Sequence, residues 1–201
     1  MRILLFDSET GGTDPTKHSL LTLGALAGDV DTGQIFEQFE IYHKLPSVAD
    51  YVIEPAAFDI HGISAQDCFD RGISTAEIQT RFVDLYFNHN CVLLGGHNVE
   101  FDVRFLCKQV FKIDIFEFDN TFTYRKLDSM PLIRLFAGVE GMQQGASLKQ
   151  TIKSLNIDMS DLKSGTYHNA LYDTIAAFRI LCKFRKVLAS PNFVKEITSE
   201  Q

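Results

Sequence analysis

Residues 2–10 read RILLFDSET, and this stretch decides the fold. Ile3, Leu4, Leu5 and Phe6 are apolar on both parities, which is the pattern of a strand buried on both faces rather than on one. The run predicts a strand over residues 2–7 inside a sheet with layers packed on either side. It ends in two acids, Asp7 and Glu9, whose spacing of two puts both side chains on one side if the strand continues. Like charges placed together there repel and are poorly solvated. Such a pair either leans into water or serves a site.

Working outward, Gly11, Gly12, Asp14 and Pro15 mark a loop. SLLTLGALAG (19–28) predicts a second strand, DVDTG a turn, and QIFEQFEIYHKL a partly alternating third strand, together a hairpin or meander. A short helix is expected within 46–64, ending near HGIS (61–64). Ser74 is a candidate N-cap with Glu77 as its capping-box partner, opening a helix that runs to about His89. CVLLGG (91–96) predicts another buried strand, followed by a helix from about Glu100 to Phe111. The pattern assigns no element to 116–125. Asp128 is expected to cap a helix through Phe136, with Pro131 in its first turn. Ser147 starts another helix through about Leu155, and the last helix spans about Asn169 to Leu188. Strands first, then strand–helix alternation, then helices indicate an α/β sheet with helices packed on it. One domain over 1–188 and a short tail over 189–201 are expected.

The chain has 201 residues with 19 basic against 26 acidic side chains, a net charge of −7. An acidic surface repels a polyphosphate, unless carboxylates hold divalent cations that invert the local field. None of the four cysteines forms a CxxC pair, which speaks against a zinc ribbon or a disulfide framework. The first apolar run stops at Asp7, too short for a signal peptide, and no run approaches a membrane span. A reducing, cytoplasmic setting is the default expectation, without a membrane partner. No GxGxxG follows the first strand, which argues against a dinucleotide binder.

Two more acids stand where apolar residues belong. Asp102 shares a helix face with Phe105, Leu106 and Val110; its plain role would be interaction with the dipole of the first turn. Asp173 falls on the stripe of Ala170, Ala177, Ile180, Leu181 and Phe184, where a carboxylate is costly unless paired or metal-bound. Arg179 lies six residues away and does not reach it along the helix. His168 precedes this helix, where it could swing over a site that Asp173 faces. Four acids converging at strand ends and helix starts suggest a cation site, and all-oxygen ligands favour Mg²⁺ or Mn²⁺ over zinc.

FDSET (6–10), HNVEFD (97–102) and HNALYD (168–173) resemble, in order, the three motifs of the DEDDh (DnaQ-like) 3′→5′ exonuclease superfamily. That group includes the proofreading epsilon subunit of bacterial DNA polymerase III and ribonuclease T. HGIS (61–64) and LDSMPLIRLF (127–136) resemble two further segments of it. The resemblance implies an RNase H-like fold, with an antiparallel meander at the N-terminus followed by parallel strands. It implies two Mg²⁺ (or Mn²⁺) ions, with Asp7, Glu9 and Asp173 on the first, Asp7 bridging to the second and Asp102 supporting the second. His168 matches the general base; the tyrosine branch of the superfamily would place Tyr there. The implied partner is the 3′ end of single-stranded DNA or RNA, and the implied product is a nucleoside 5′-monophosphate. Thr10, Gly11, Asn98 and Phe101 are the candidate substrate contacts. The amides around Thr10 and Gly11 would seat the terminal nucleotide, and Phe101 would offer a stacking face. The first motif departs from the family, with Thr10-Gly11-Gly12 where T-T-G is usual. No polymerase-binding tail like that of the epsilon subunit is evident after the last helix. The rival reading is an RNase H-like binding or scaffold protein that lost catalysis; against it, all five catalytic positions are filled.

Overall fold

The computed structural model describes residues 1–139, 147–162 and 169–191. Its centre is β1 (Arg2–Thr10), flanked by β2 (Leu20–Asp29) and then β3 (Gln34–Tyr42) on one side, and by β4 (Leu93–Gly96) and then β5 (Lys126–Asp128) on the other. β1, β2 and β3 pair antiparallel, whereas β1–β4 and β4–β5 are parallel. The expected meander followed by parallel strands is therefore present. The β2–β3 turn closes through the Gly33 N–H, which donates to the Asp29 carbonyl at 2.7 Å, with Gly33 at a φ of 76°.

The central position of β1 explains its unbroken apolar run. Leu4 and Phe6 face one layer, formed by α3 (Thr75–Asn88) and α4 (Val99–Phe105). Ile3 and Leu5 face the other, where α8 (Ala170–Leu188) packs with Ile175, Phe178 and Leu181. Much of the phenylalanine content is spent on the first layer. The Phe82 ring meets those of Phe6 and Phe122 at 5.3 Å and that of Phe111 at 5.7 Å. All four cysteines are free and buried, and burial pushes their thiols up to between about 11 and about 12, so they are inert packing residues.

Several boundaries differ from expectation. β1 continues to Thr10, so Asp7 and Glu9 lie within the strand, and a bulge follows between Glu9 and Thr10. β3 stops at Tyr42, where His43 still donates its N–H to the Leu21 carbonyl at 2.8 Å but also bridges Ile73. The helix expected over 46–64 is α1 (Pro55–His61), ended by Gly62 in the left-handed region at a φ of 68°. α2 (Ala65–Arg71), with its Ser64/Asp67 capping box, is unanticipated. At α3 only half of the expected box forms: Ser74 accepts the Glu77 N–H, while the Glu77 carboxylate turns to Arg81. The single helix expected from Glu100 to Phe111 is α4 followed by a π-helical segment, Leu106–Phe111. From that wider turn Gln109 Oε1 accepts the Leu20 N–H at 2.7 Å, and Nε2 donates to the Pro15 and His18 carbonyls. The unassigned stretch 116–125 is largely α5 (Ile115–Thr121), boxed by Asp114 and Glu117. α6 (Ser129–Val139) follows β5, and α7 (Leu148–Ser154) opens on Ser147 as expected. No helix among the described residues is long and apolar enough to cross a membrane.

Candidate active site

The site forms where β1, β2 and the first turn of α8 meet. Alternation places Asp7 and Glu9 on the α8 face, and in the β1–β2 register they stand beside Gly24 and Thr22. Gly24 is the residue that lets the helix down. A Cβ there would lie 2.3 Å from the Leu171 nitrogen and 2.4 Å from the Ala170 carbonyl carbon. Thr174 Oγ1 ties the same contact, donating to the Ala170 carbonyl at 2.7 Å and lying 3.2 Å from that of Gly24. Asn169 caps the helix by accepting the Tyr172 N–H at 2.9 Å. Asp173 thus reaches the sheet from the first turn of α8, where the helix dipole favours a carboxylate. Replacing Gly24 by Ala is expected to cost about 1–3 kcal/mol by overpacking. Metal affinity should weaken at least tenfold, because Asp173 is lifted from Asp7. Melting temperature and a calorimetric Mn²⁺ titration measure the two effects, and unchanged affinity would show that this contact does not set the site.

One carboxylate oxygen each from Asp7, Glu9 and Asp173 lies within 4.8 Å of the others, close enough to hold a metal ion. Asp102 arrives from the opposite layer. α4 packs on Leu4 and Phe6 through Val99 and Val103, and at its first turn Asp102, only 2% exposed, accepts the Ser8 hydroxyl at 2.5 Å. Ser8 alternates with Asp7 on β1, so the bond fastens Asp102 to the strand that carries the pair, close enough to raise the Asp7 carboxyl. It stands outside the three-oxygen cluster.

Electrostatics single the group out. Burial, then Asp102, Asp173 and Glu9, raise the Asp7 carboxyl well above its ordinary range. Burial, then Asp173 and Glu40, push Glu9 up to about 7. Burial pushes Asp102 up to about 7 against the lowering effect of the Ser8 hydrogen bond. Among the described residues no basic side chain forms an ion pair with Asp7, Glu9 or Asp102. Arg179 is committed elsewhere, to Asp161 through two bonds of 2.8 and 2.7 Å. A buried cluster of carboxylate oxygens this close together is the donor set of a hard cation, so the residues fit the group the motifs call for.

Of the other expected site residues, His168 lies outside the described residues. Thr10 is buried, its hydroxyl donating to the Gly12 carbonyl at 2.8 Å and its carbonyl lying 3.2 Å from His61 Nε2. His61 Nδ1 accepts the Ile63 N–H at 2.9 Å, so Nε2 carries the proton. Gly11 does not offer the open amide expected of it. Its N–H donates to the Ser19 carbonyl at 2.7 Å, and a Cβ would fall 2.0 Å from the Val52 carbonyl oxygen. Its missing side chain admits the 52–54 segment. Asn98 is exposed and left-handed at a φ of 67°, held by its N–H to Asp128 Oδ1 at 2.8 Å. Phe101 is half-buried against Phe105, with ring centroids 5.1 Å apart. Ser8 and Gly24 were missed from the sequence. The signal for Gly24 was a glycine inside an apolar strand, which marks a close backbone approach.

A mixed sheet ordered β3-β2-β1-β4-β5, with helices on both faces and acids on its central strand, defines an RNase H-like α/β fold. The chain belongs to the exonuclease family of ribonuclease T, which it matches over residues 4–181. It is similar to exodeoxyribonuclease I of Haemophilus influenzae, at 26% identity over 98 residues that cover 49% of this chain and 20% of that protein. It superposes on Escherichia coli exonuclease I in complex with a dT13 oligonucleotide with a TM-score of 0.69 at 20% identity, covering 98% of this chain and 43% of the other. Exonuclease I from Methylocaldum szegediense gives a TM-score of 0.68 at 20% identity, covering 99% and 45%. A zinc-bound complex of the E. coli enzyme with single-stranded DNA gives 0.68 at 20%, covering 99% and 41%. At such identity the superpositions speak for the fold. The chain spans less than half the length of these structures.

Proposed function

We propose that the chain is a DEDDh-type 3′→5′ exonuclease that removes nucleoside 5′-monophosphates from single-stranded DNA ends. The observation that carries this is the Asp7–Glu9–Asp173 cluster, with oxygens within 4.8 Å, on the fold of an exonuclease family. The DNA assignment is supported by the similarity to exodeoxyribonuclease I and by the oligonucleotides bound to its structural neighbours. In this reading Asp7, Glu9 and Asp173 would hold one Mg²⁺ or Mn²⁺, and Asp102 would support a second beside Asp7. Bound ions would supply positive charge at the scissile phosphate and ease ionisation of the attacking water. His168 accepts the proton of that water at a ring nitrogen. The Ser8 hydrogen bond fixes the rotamer of Asp102. Thr10, Asn98 and Phe101 wall the terminal nucleotide, and Gly11 contributes by shaping the loop rather than by its amide. A reducing cytoplasmic setting would suit the four unpaired thiols.

The test is release from a 5′-labelled single strand with Mg²⁺, Mn²⁺, Zn²⁺ or chelator. The expected result is a ladder shortened one nucleotide at a time with Mg²⁺ or Mn²⁺, blocked by a 3′-phosphate and absent with chelator. Rapid cutting of a circular single strand would overturn the polarity. A matching RNA tests the sugar, since a pocket that reads the 2′-OH would reverse the preference. Metal binding without any release would favour the scaffold reading.

A further inference from the structure

An acid cluster cannot by itself hold a polyanion, so a strand needs cations on the surface leading away from it. The β1–β2–β3 register continues the row of the site: Glu9 stands beside Thr22, and Thr22 beside Tyr42. Residues in one such row share a face, so Tyr42 lies on the face of the acids, two strand spacings or roughly 10 Å from Glu9. Glu40, one step back along that face, adds negative potential at Glu9. The Arg71 guanidinium, at the end of α2, lies over the Tyr42 ring at 3.9 Å. Two residues past Tyr42, the Lys44 ammonium lies over the Phe69 ring at 4.7 Å. Both rings rest on one small core cluster, around Leu21, Tyr51 and Cys68. Arg71 and Lys44 are both exposed, and among the described residues neither forms an ion pair. These are two cations propped on aromatic rings, in no ion pair among the described residues although Arg71 lies near enough to Asp67 to lower its carboxyl, and in line with the acids on one face of the sheet.

We propose that Arg71 and Lys44 form a backbone track that binds phosphodiesters of the single strand upstream of the one being cut. Tyr42 and Phe69 are positioning residues that hold the two cations. The inference rests on the exonuclease reading and adds to it the path of the strand. Binding by such a track is electrostatic and tolerant of sequence. It serves long strands and leaves the shortest substrates untouched, because a dinucleotide ends before it reaches Arg71.

The experiment measures anisotropy of a fluorescein-labelled dT oligonucleotide across a salt series with chelator present, together with Mn²⁺-dependent hydrolysis of the same strand and of a dinucleotide. The proteins are wild type, Arg71→Gln, Lys44→Gln, the double variant and Tyr42→Phe. The double variant should bind the oligonucleotide roughly 10-fold or more weakly, and its log–log salt slope should fall by about 0.7 per cation removed. Its KM on the long strand should rise with kcat kept, and dinucleotide hydrolysis should match wild type. Tyr42→Phe keeps the ring under Arg71 but loses the hydroxyl that bonds it, and should weaken binding by less than Arg71→Gln. Unchanged affinity and salt slope in the double variant would overturn the track. So would equal losses on strand and dinucleotide, which would mark a folding or site defect instead. If wild type binds with the expected salt dependence yet hydrolyses neither substrate, the catalytic reading fails and the track stands.

Discussion

Asp7→Asn is expected to lower nucleotide release by roughly 10³-fold or more, the several kcal/mol that a catalytic metal contributes, while making the metal-free protein more stable. The second effect follows from the site's electrostatics. Asp7 is raised by burial and by three neighbouring acids, so removing its charge relieves Glu9, Asp102 and Asp173 together. For a chain of this size each 1 kcal/mol moves the melting temperature by about 2–4 °C. The sign with pH is fixed by linkage. A carboxyl whose folded pKa is raised keeps its proton longer in the folded state, so the folded form binds more protons over that interval. Stability from this source is fully present below the unfolded value, 4.5 for Glu9, and is lost as pH rises through about 7. Metal-free wild type should therefore lose stability between pH 5 and 8, by up to about 3 kcal/mol from Glu9 alone, with a matching fall in melting temperature, and Asp7→Asn should lose less. Mn²⁺ should reverse the loss in wild type, contributing about 2.7 kcal/mol at a hundredfold excess over Kd, and should do little for the variant. Thermal melts at both pH values, with chelator and with Mn²⁺, check all four arms. A variant that melts lower than wild type without metal would make the acids structural and remove the basis of the metal site.

His168→Ala should lower the rate by roughly 10²–10⁴-fold, the span of a general base, with Mn²⁺ affinity and melting temperature held. The separation is expected because Asn169 makes the α8 cap, and because the three clustered carboxylates can hold a cation by themselves. Single-turnover release and a calorimetric Mn²⁺ titration on the same preparation give both numbers. Near-normal turnover in a folded variant would remove His168 from the chemistry, and loss of metal affinity would recast it as a ligand.

The acids were legible in the sequence because the rules that expose them are local. Period two puts Asp7 and Glu9 on one side of a strand, and period 3.6 puts Asp102 and Asp173 on apolar helix faces. Each therefore stood out as a charge in an apolar place, and the order of motifs matched a family that the whole-chain comparison also finds. Elements with strong end signals were legible for the same reason: Ser147 and Asn169 cap the helices expected of them.

What depends on residues far apart in the chain was decided only by the tertiary structure. β5 is three residues long and is a strand only because β4 lies beside it. Gly11 looked like an opening for a ligand and proves to be the place where Val52 passes. Gly24 looked like any strand glycine until α8 came to rest on it, 146 residues later in the chain at Ala170. Ser8 gained its meaning from Asp102 on another layer, and Arg71 from a ring two strands away from Glu9. The physical reason is common to all of these. Periodicity reports which side of its own element a residue faces, whereas register and layer packing decide what it meets there, and those are set by the burial of the whole core.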